Sequence, residues 1–258
     1  MGLLEIRDIE KDFGGLIALH NVSFDVNEGE IVSVIGPNGA GKTTLFNCIT
    51  GYIKPDKGQI HFLGKNITGF DPYEVNDLGM ARTFQQIRLF MELTIMENVL
   101  IGMHSRIKAG VFHALLKPRW VRDEEAAARA KALEILGLFQ ERLLPRLDQR
   151  AKMLSYANRR RLEIARALAS EPKLMLLDEP AAGMNPRETQ LATDLIGQLR
   201  NMGHTILLIE HDMRLVMSIS DRVIVLDHGE KIAEGTPVEI QNNEQVIEAY
   251  MGRAAKNA

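Results

Sequence analysis

The segment Gly36-Pro37-Asn38-Gly39-Ala40-Gly41-Lys42-Thr43 fits the spacing G-x-x-x-x-G-K-[ST] and follows the apolar run Ile31 to Ile35. An apolar strand leading into such a turn and then a helix makes a phosphate cradle, the P-loop. The glycines let backbone N–H groups crowd around a phosphate, because no Cβ stands in the way. Lys42 supplies a point positive charge for the β- and γ-phosphates, and the Thr43 hydroxyl is a ligand suited to Mg²⁺. Thr44 to Ile49 reads as a helix whose N-terminus faces the anion. Gly36 through Thr44 are therefore expected to hold a nucleoside triphosphate.

A length of 258 residues suits one large α/β domain, or a core with a subdomain. The net charge of -3 argues against a general nucleic-acid binder, which carries a basic excess. The densest basic cluster, Arg159-Arg160-Arg161, reads as a solvated face, with docking to a partner as the alternative. Cys48 is the only cysteine, so an intramolecular disulfide is ruled out and a reducing compartment is expected. Its place in an apolar helix indicates packing rather than reactivity. No apolar run reaches the length of a membrane span, and Met1 to Arg7 lacks the pattern of a signal peptide. Any membrane contact is expected to run through a partner.

Short apolar runs alternate with helical patterns along much of the chain. Leu4 to Arg7, Ile17 to Val26, Ile31 to Ile35 and Gln59 to Phe62 read as strands. Lys173 to Leu177, Thr205 to Ile209 and Arg222 to Leu226 are continuous apolar runs, as in strands buried on both faces. Pro186 to Met202 reads as a helix with Leu191, Leu195, Leu199 and Met202 on one face, ending at Gly203. Strands alternating with helices in this way imply a parallel sheet with right-handed crossovers. From about Leu93 to Ser170 the pattern is helical instead. There Asp123 to Leu136 suggests a stripe of Ala126, Ala130, Leu133 and Gly137, and Gly110 and Pro118 break the helical pattern before it.

A second chemical element is Leu174-Met175-Leu176-Leu177-Asp178-Glu179-Pro180. Four apolar residues deliver Asp178 to the C-terminal end of a parallel strand, the end at which α/β folds bind ligands. Asp178 is placed to hold Mg²⁺ through a water, and Glu179 to orient and polarise the attacking water. Hydrolysis of the nucleotide is the expected activity.

With these elements the chain resembles the ATP-binding-cassette (ABC) ATPases over nearly its whole length. The resemblance implies a P-loop NTPase cassette: a RecA-like parallel-sheet core, an antiparallel β subdomain and a helical subdomain. It forms one ATP-binding domain, with residues 1–92 and 171–258 as the α/β core and 93–170 as the helical part. Phe13, in Lys11-Asp12-Phe13-Gly14-Gly15, matches the aromatic that stacks on adenine. Gln85, in Arg82-Thr83-Phe84-Gln85, matches the glutamine that senses Mg²⁺ and water. His211, in Ile209-Glu210-His211-Asp212, matches the switch histidine that reaches the γ-phosphate. Where the family reads LSGGQ, this chain reads Leu154-Ser155-Tyr156-Ala157-Asn158. Ser155 sits where a helix begins, and in the family this site closes on ATP held by a second cassette. Ala157 and Asn158 depart from the pattern, as does Asn185, where many relatives carry aspartate.

Further strings narrow the resemblance to the ATP-binding subunits of bacterial branched-chain amino acid importers. They are Phe13 to Ala18, Ala81 to Gln85, Arg161 to Arg166, Asp178 to Asn185 and the tail Val246 to Gly252. The stretch Gly102 to Arg122, with Val111 to Leu116 and Trp120, matches the longer helical insert of that type. By that resemblance the partners are two transmembrane permease subunits and a second cassette, identical or distinct. A periplasmic binding protein delivers leucine, isoleucine or valine, and the chain sits on the cytoplasmic face of the inner membrane. No pocket for an amino acid side chain is assigned, since the permeases read the substrate. The alternatives are a urea or amide importer, lipopolysaccharide export, a slow regulatory cassette, or a soluble ABC clamp. The clamp class commonly carries two cassettes in one chain or a long coiled coil, whereas this sequence has one P-loop.

Overall fold

The computed structural model describes residues 2–104 and 119–254. In chain order the elements begin with strands β1 (Leu4–Phe13), β2 (Leu16–Val26) and β3 (Ile31–Ile35), followed by helix α1 (Lys42–Ile49). Next come β4 (Lys57–Phe62), β5 (Lys65–Asn66), α2 (Pro72–Asp77), β6 (Met80–Arg82) and α3 (Ile95–Gly102). Helices α4 (Arg119–Gly137), α5 (Gln140–Leu143) and α6 (Tyr156–Leu168) precede β7 (Leu174–Asp178), α7 (Pro186–Asn201) and β8 (Thr205–Ile209). The chain closes with α8 (Met213–Ile219), β9 (Arg222–Asp227), β10 (Glu230–Gly235), α9 (Pro237–Gln241) and α10 (Glu244–Ala254). It divides into two units, Met1–Arg82 with Lys173–Ala258, and Thr83–Pro172. The stretch 93–170, read from sequence as helical, falls inside the second. Among the described residues no helix is long and apolar enough to cross a membrane.

The first unit carries two sheets. One is six-stranded in the order β10-β9-β3-β8-β7-β6, parallel from β9 to β6 and antiparallel only at β10. The other is antiparallel, in the order β2-β1-β4-β5. Every residue of β3, β7 and β8 is buried, which explains their unbroken apolar sequences. One apolar cluster joins Ile6, Phe24 and Phe62 of the antiparallel sheet to Leu45 and Phe46 of α1 and to Val34, Leu176 and Leu207 of the parallel sheet. The helix that follows the P-loop is thus anchored by both sheets. Three strands escape the sequence pattern: β5 and β6 span two and three residues, and β10 is an edge strand rich in charge.

Two helical faces differ from those the periodicity suggested. In α7 the buried side is Ala192, Leu195, Ile196 and Leu199, whereas Leu191 and the C-cap Met202 are exposed. Both faces keep a 3–4 spacing, and only the sheet beneath selects one. Ile196→Ala is expected to cost about 2–5 kcal/mol in urea unfolding. Leu191→Ala should stay within about 0.5 kcal/mol. In α4 the buried residues are Val121, Ala132, Ile135 and Leu136, while Ala126, Ala130 and Leu133 face solvent.

The second unit is helical, with no strand among its described residues beyond an isolated bridge between Thr94 and Arg150. Thr94 caps α3 in a capping box: its hydroxyl accepts from the Glu97 N–H, and the Glu97 carboxylate accepts from the Thr94 N–H at 2.7 Å. At Gly102 the end of α3 meets α6 so closely that a Cβ would lie 2.2 Å from the Arg166 carbonyl oxygen. The basic triplet is not a solvated face. Arg160 is fully buried and Arg161 is 9% exposed, because both guanidinium groups are tied to partners inside this unit. Val111 to Leu116, Gly110 and Pro118 lie outside the described residues; Trp120 stands near the start of α4, partly exposed.

Candidate functional site

The P-loop runs from the end of β3 into α1, and two of its glycines are demanded by the chain around them. Gly36 has φ +149°, and a Cβ there would sit 2.0 Å from the carbonyl oxygen of Leu226 in β9. Gly41, the N-cap of α1, has φ +99°, and its Cβ would meet the Ala18 carbonyl oxygen of β2 at 2.4 Å. The loop is therefore pressed against both neighbouring strands, and the β9–β10 turn adds a bond from the Gly229 N–H to the Ala40 carbonyl at 3.2 Å. Lys42 opens α1, and its ammonium donates to the carbonyls of Gly36 at 2.6 Å and Pro37 at 3.0 Å. That contact holds the cation over the loop, beside the N–H groups of the helix start. Thr43 and Thr44 follow in the first turn. Cys48, on the buried side of the same helix, is kept as an inert thiol: burial pushes it up to about 11.

Strands β3, β8 and β7 are adjacent and parallel, so their C-terminal ends lie along one edge of the sheet. That edge receives the P-loop after β3, Asp178 as the last residue of β7, and His211 just past β8. Asp178 is buried and paired with Arg82 of β6, whose guanidinium donates to its Oδ2 at 3.0 Å. The same guanidinium donates to Asn47 Oδ1 at 2.8 Å and Thr50 Oγ1 at 3.0 Å, both at the C-terminal end of α1. Arg82 thus links the aspartate to the P-loop helix, a connection the sequence reading did not contain. Its cue was a charged residue inside a short apolar segment ahead of Gln85, which must find a partner if buried. Removing one member of such a pair strands the other charge. Arg82→Met is expected to lower stability by about 3–5 kcal/mol. Arg82→Met combined with Asp178→Leu should regain most of that loss in urea unfolding, an outcome unattainable if Arg82 mattered only through Asn47 and Thr50.

Glu179 follows directly with φ +49°, a left-handed backbone that costs a non-glycine residue about 1–3 kcal/mol. Its N–H donates to the Ile209 carbonyl at 2.9 Å, pinning the turn to the end of β8. The twist carries the carboxylate to 3.8 Å from His211 Nδ1. Glu210, which the sequence places beside His211 without a role of its own, completes the arrangement. Its buried carboxylate accepts the N–H groups of Ala181 at 2.9 Å, His211 at 3.0 Å and Asp212 at 3.4 Å, and lies 3.7 Å from His211 Nδ1. Burial pushes the Glu210 carboxyl above its ordinary range, against the N–H groups that favour the anion. It joins the loop after Glu179 to the loop carrying His211. A carboxylate ending a buried strand was the available signal, the same one that marked Asp178.

Phe13 ends β1 as an exposed aromatic residue, with Lys11 Nζ over its ring at 5.4 Å from the centroid. Asn185 caps α7 by accepting from the Glu188 N–H at 3.0 Å, a task asparagine performs as well as aspartate. Gln85 and Ser155 belong to the second unit. Gln85 lies in an irregular segment after β6, and Ser155 is the N-cap of α6, with its hydroxyl accepting from the Asn158 N–H at 3.4 Å. The Asn158 side chain is turned inward to accept from Arg161 at 2.7 Å, and Ala157 is buried beside it. Among the described residues no three His, Cys, Asp or Glu side chains gather as a metal site. Thr43 and Asp178 do fit Mg²⁺, which takes few protein oxygens and draws its remaining ligands from phosphates and water.

Residues 19–182 match the family model of the ABC transporter, and residues 230–256 match that of the branched-chain amino acid ATP-binding cassette transporter. The chain is 48% identical over 255 residues to the high-affinity branched-chain amino acid transport ATP-binding protein LivG of Salmonella typhimurium, covering 98% of each. It is 44% identical over 253 residues to the corresponding protein BraF of Pseudomonas aeruginosa, again covering 98% of each. A crystal structure described as the ADP conformation of an ATP-binding cassette of an ABC transporter matches with a TM-score of 0.84 and 36% identity, covering 98% of this chain and 99% of that one.

Proposed function

The chain belongs to the ABC transporter family, and from that premise we propose that it is the ATP-hydrolysing subunit of a bacterial importer of branched-chain amino acids. The observation that carries the ATPase reading is the gathering of the P-loop, Asp178, Glu179 and His211 at one edge of a parallel sheet. The observation that directs it to leucine, isoleucine and valine is the match of residues 230–256, beyond the shared cassette.

In this reading the N–H groups of Gly36 to Thr44 and the Lys42 ammonium bind the phosphates, and Phe13 stacks on the base. Mg²⁺, when bound, neutralises charge on the β- and γ-phosphates; Thr43 and Asp178 would hold it, with Gln85 assigned by its motif. Glu179 accepts the proton of the attacking water, and His211 donates to the γ-phosphate oxygens. Ser155 faces the nucleotide of a second cassette, by its motif. The remaining parts of the machine are two membrane permease subunits that contain the substrate path and a periplasmic binding protein that supplies it. The chain then works at the cytoplasmic face of the inner membrane, held there by the permeases.

Deleting the gene is expected to abolish ATP-dependent leucine uptake, with rescue by the native chain and none by Glu179→Gln. In the same cells, Glu179→Gln protein recovered with ATP should bring down two multi-span permease subunits and a second cassette. Intact leucine uptake with loss of urea or short-amide uptake would overturn the substrate. Recovery with ribosomes or DNA proteins in place of permeases would overturn transport.

A further inference from the structure

The middle arginine of the basic triplet points inward. Arg160 lies in the second turn of α6, the helix capped by Ser155, and is fully buried. One guanidinium nitrogen, Nη1, donates to the Glu163 carboxylate at 2.7 Å and to the carbonyl of Phe84. The other, Nη2, donates to the carbonyl of Gln85 at 2.7 Å and reaches the Tyr156 hydroxyl at 3.4 Å. Glu163, also buried, accepts the backbone N–H of Arg88 at 3.0 Å through its second oxygen. One ion pair on a single helix face therefore holds the segment 84–88 at three backbone points. That segment has no helix or strand of its own, so these bonds stand where a ladder would be. The planar guanidinium fork suits the task, since it donates in two directions at fixed angles; an ammonium is a single point.

We propose that the Arg160–Glu163 pair is a positioning device for Gln85: it fixes the backbone of the glutamine loop to the helix that starts at Ser155, so that the glutamine and the signature serine move as one body. The inference rests on the reading of Gln85 as a residue of ATP turnover. Arg160 and Glu163 touch no nucleotide in this account; they act through the loop.

The test uses Arg160→Lys, which keeps the charge and loses the fork, alone and combined with Gln85→Ala. Glu163→Gln is a second variant of nearly equal volume, whose amide cannot serve both Arg160 and the Arg88 N–H as acceptor. Amide exchange of the full chain, read over residues 83–90, should quicken about tenfold or more in either variant, with α1 and β7 unchanged. ATP turnover of the permease-bound complex should fall about tenfold for Gln85→Ala and by a similar factor for Arg160→Lys, with little change in KM. The double variant should be no slower than Gln85→Ala alone, because both changes remove one contribution. Unchanged exchange in both variants, or factors that multiply in the double variant, would overturn the proposal. Normal turnover of Gln85→Ala would overturn the role of Gln85 instead, and it is told apart by exchange that still quickens in Arg160→Lys.

Discussion

Glu179→Gln is expected to reduce ATP turnover by about 10²–10⁴-fold while ATP binding stays within about twofold. The substitution is nearly isosteric, so the left-handed turn, its bond to the Ile209 carbonyl and the approach to His211 remain. What disappears is the capacity to accept a proton from water in the transition state. Because binding draws on the P-loop and Lys42, it should survive, and the variant should accumulate with ATP bound. Turnover is measured on the permease-bound complex, and binding on the same preparation by equilibrium titration. An unchanged rate would place the base elsewhere.

Lys42→Ala is expected to weaken ATP binding by about 30-fold or more. The ammonium stands at the start of α1, bonded to the Gly36 and Pro37 carbonyls, and in the proposed reading it is the cation that meets the nucleotide phosphates. Truncating one partner of a hydrogen-bonded charge pair costs about 2–5 kcal/mol, and each 1.4 kcal/mol is about tenfold. The loop itself should persist, since Gly36 and Gly41 are held by β9 and β2 rather than by the lysine. A thermal midpoint close to the native value, together with lost binding, separates this result from unfolding. Micromolar ATP affinity in the variant would contradict the role of Lys42.

The two predictions draw on residues that were legible for a shared reason. Gly36 to Thr44, Asp178 with Glu179, and His211 each belong to a local string in which an apolar strand hands over to a polar turn. Strand ends in a parallel sheet meet at one edge, so strings far apart in sequence could be expected to share a site before any contact was known. Ser155 was legible in the same way, as a cap before a helix. Asn185 looked like a departure from the family, yet its capping box with Glu188 shows the substitution keeping its local task.

Other features had no such local signature. The faces of α4 and α7 were misjudged because Leu133 and Leu191 carry hydrophobicity without burial. Period alone does not distinguish two apolar rows one residue apart. Arg159-Arg160-Arg161 read as a wet face because charge in a helix is most often solvated, but Arg160 meets carbonyls and a carboxylate that replace water. Arg82 and Glu210 are of the same kind: charges whose burial is tolerable only with Asp178, Asn47 and Thr50 around one, and three N–H groups around the other.

The sequence by itself carried the phosphate cradle, the carboxylates that follow a buried strand and the alternation of the long strands with helices, because short-range spacing marks each of these, and the family followed from the resemblance those strings bear. Only the tertiary structure decided which charges are buried, what steadies Asp178 and His211, and which helical face meets the sheet. A buried charge is stable or ruinous according to partners supplied by distant segments, and those partners are known only once the chain has brought them together.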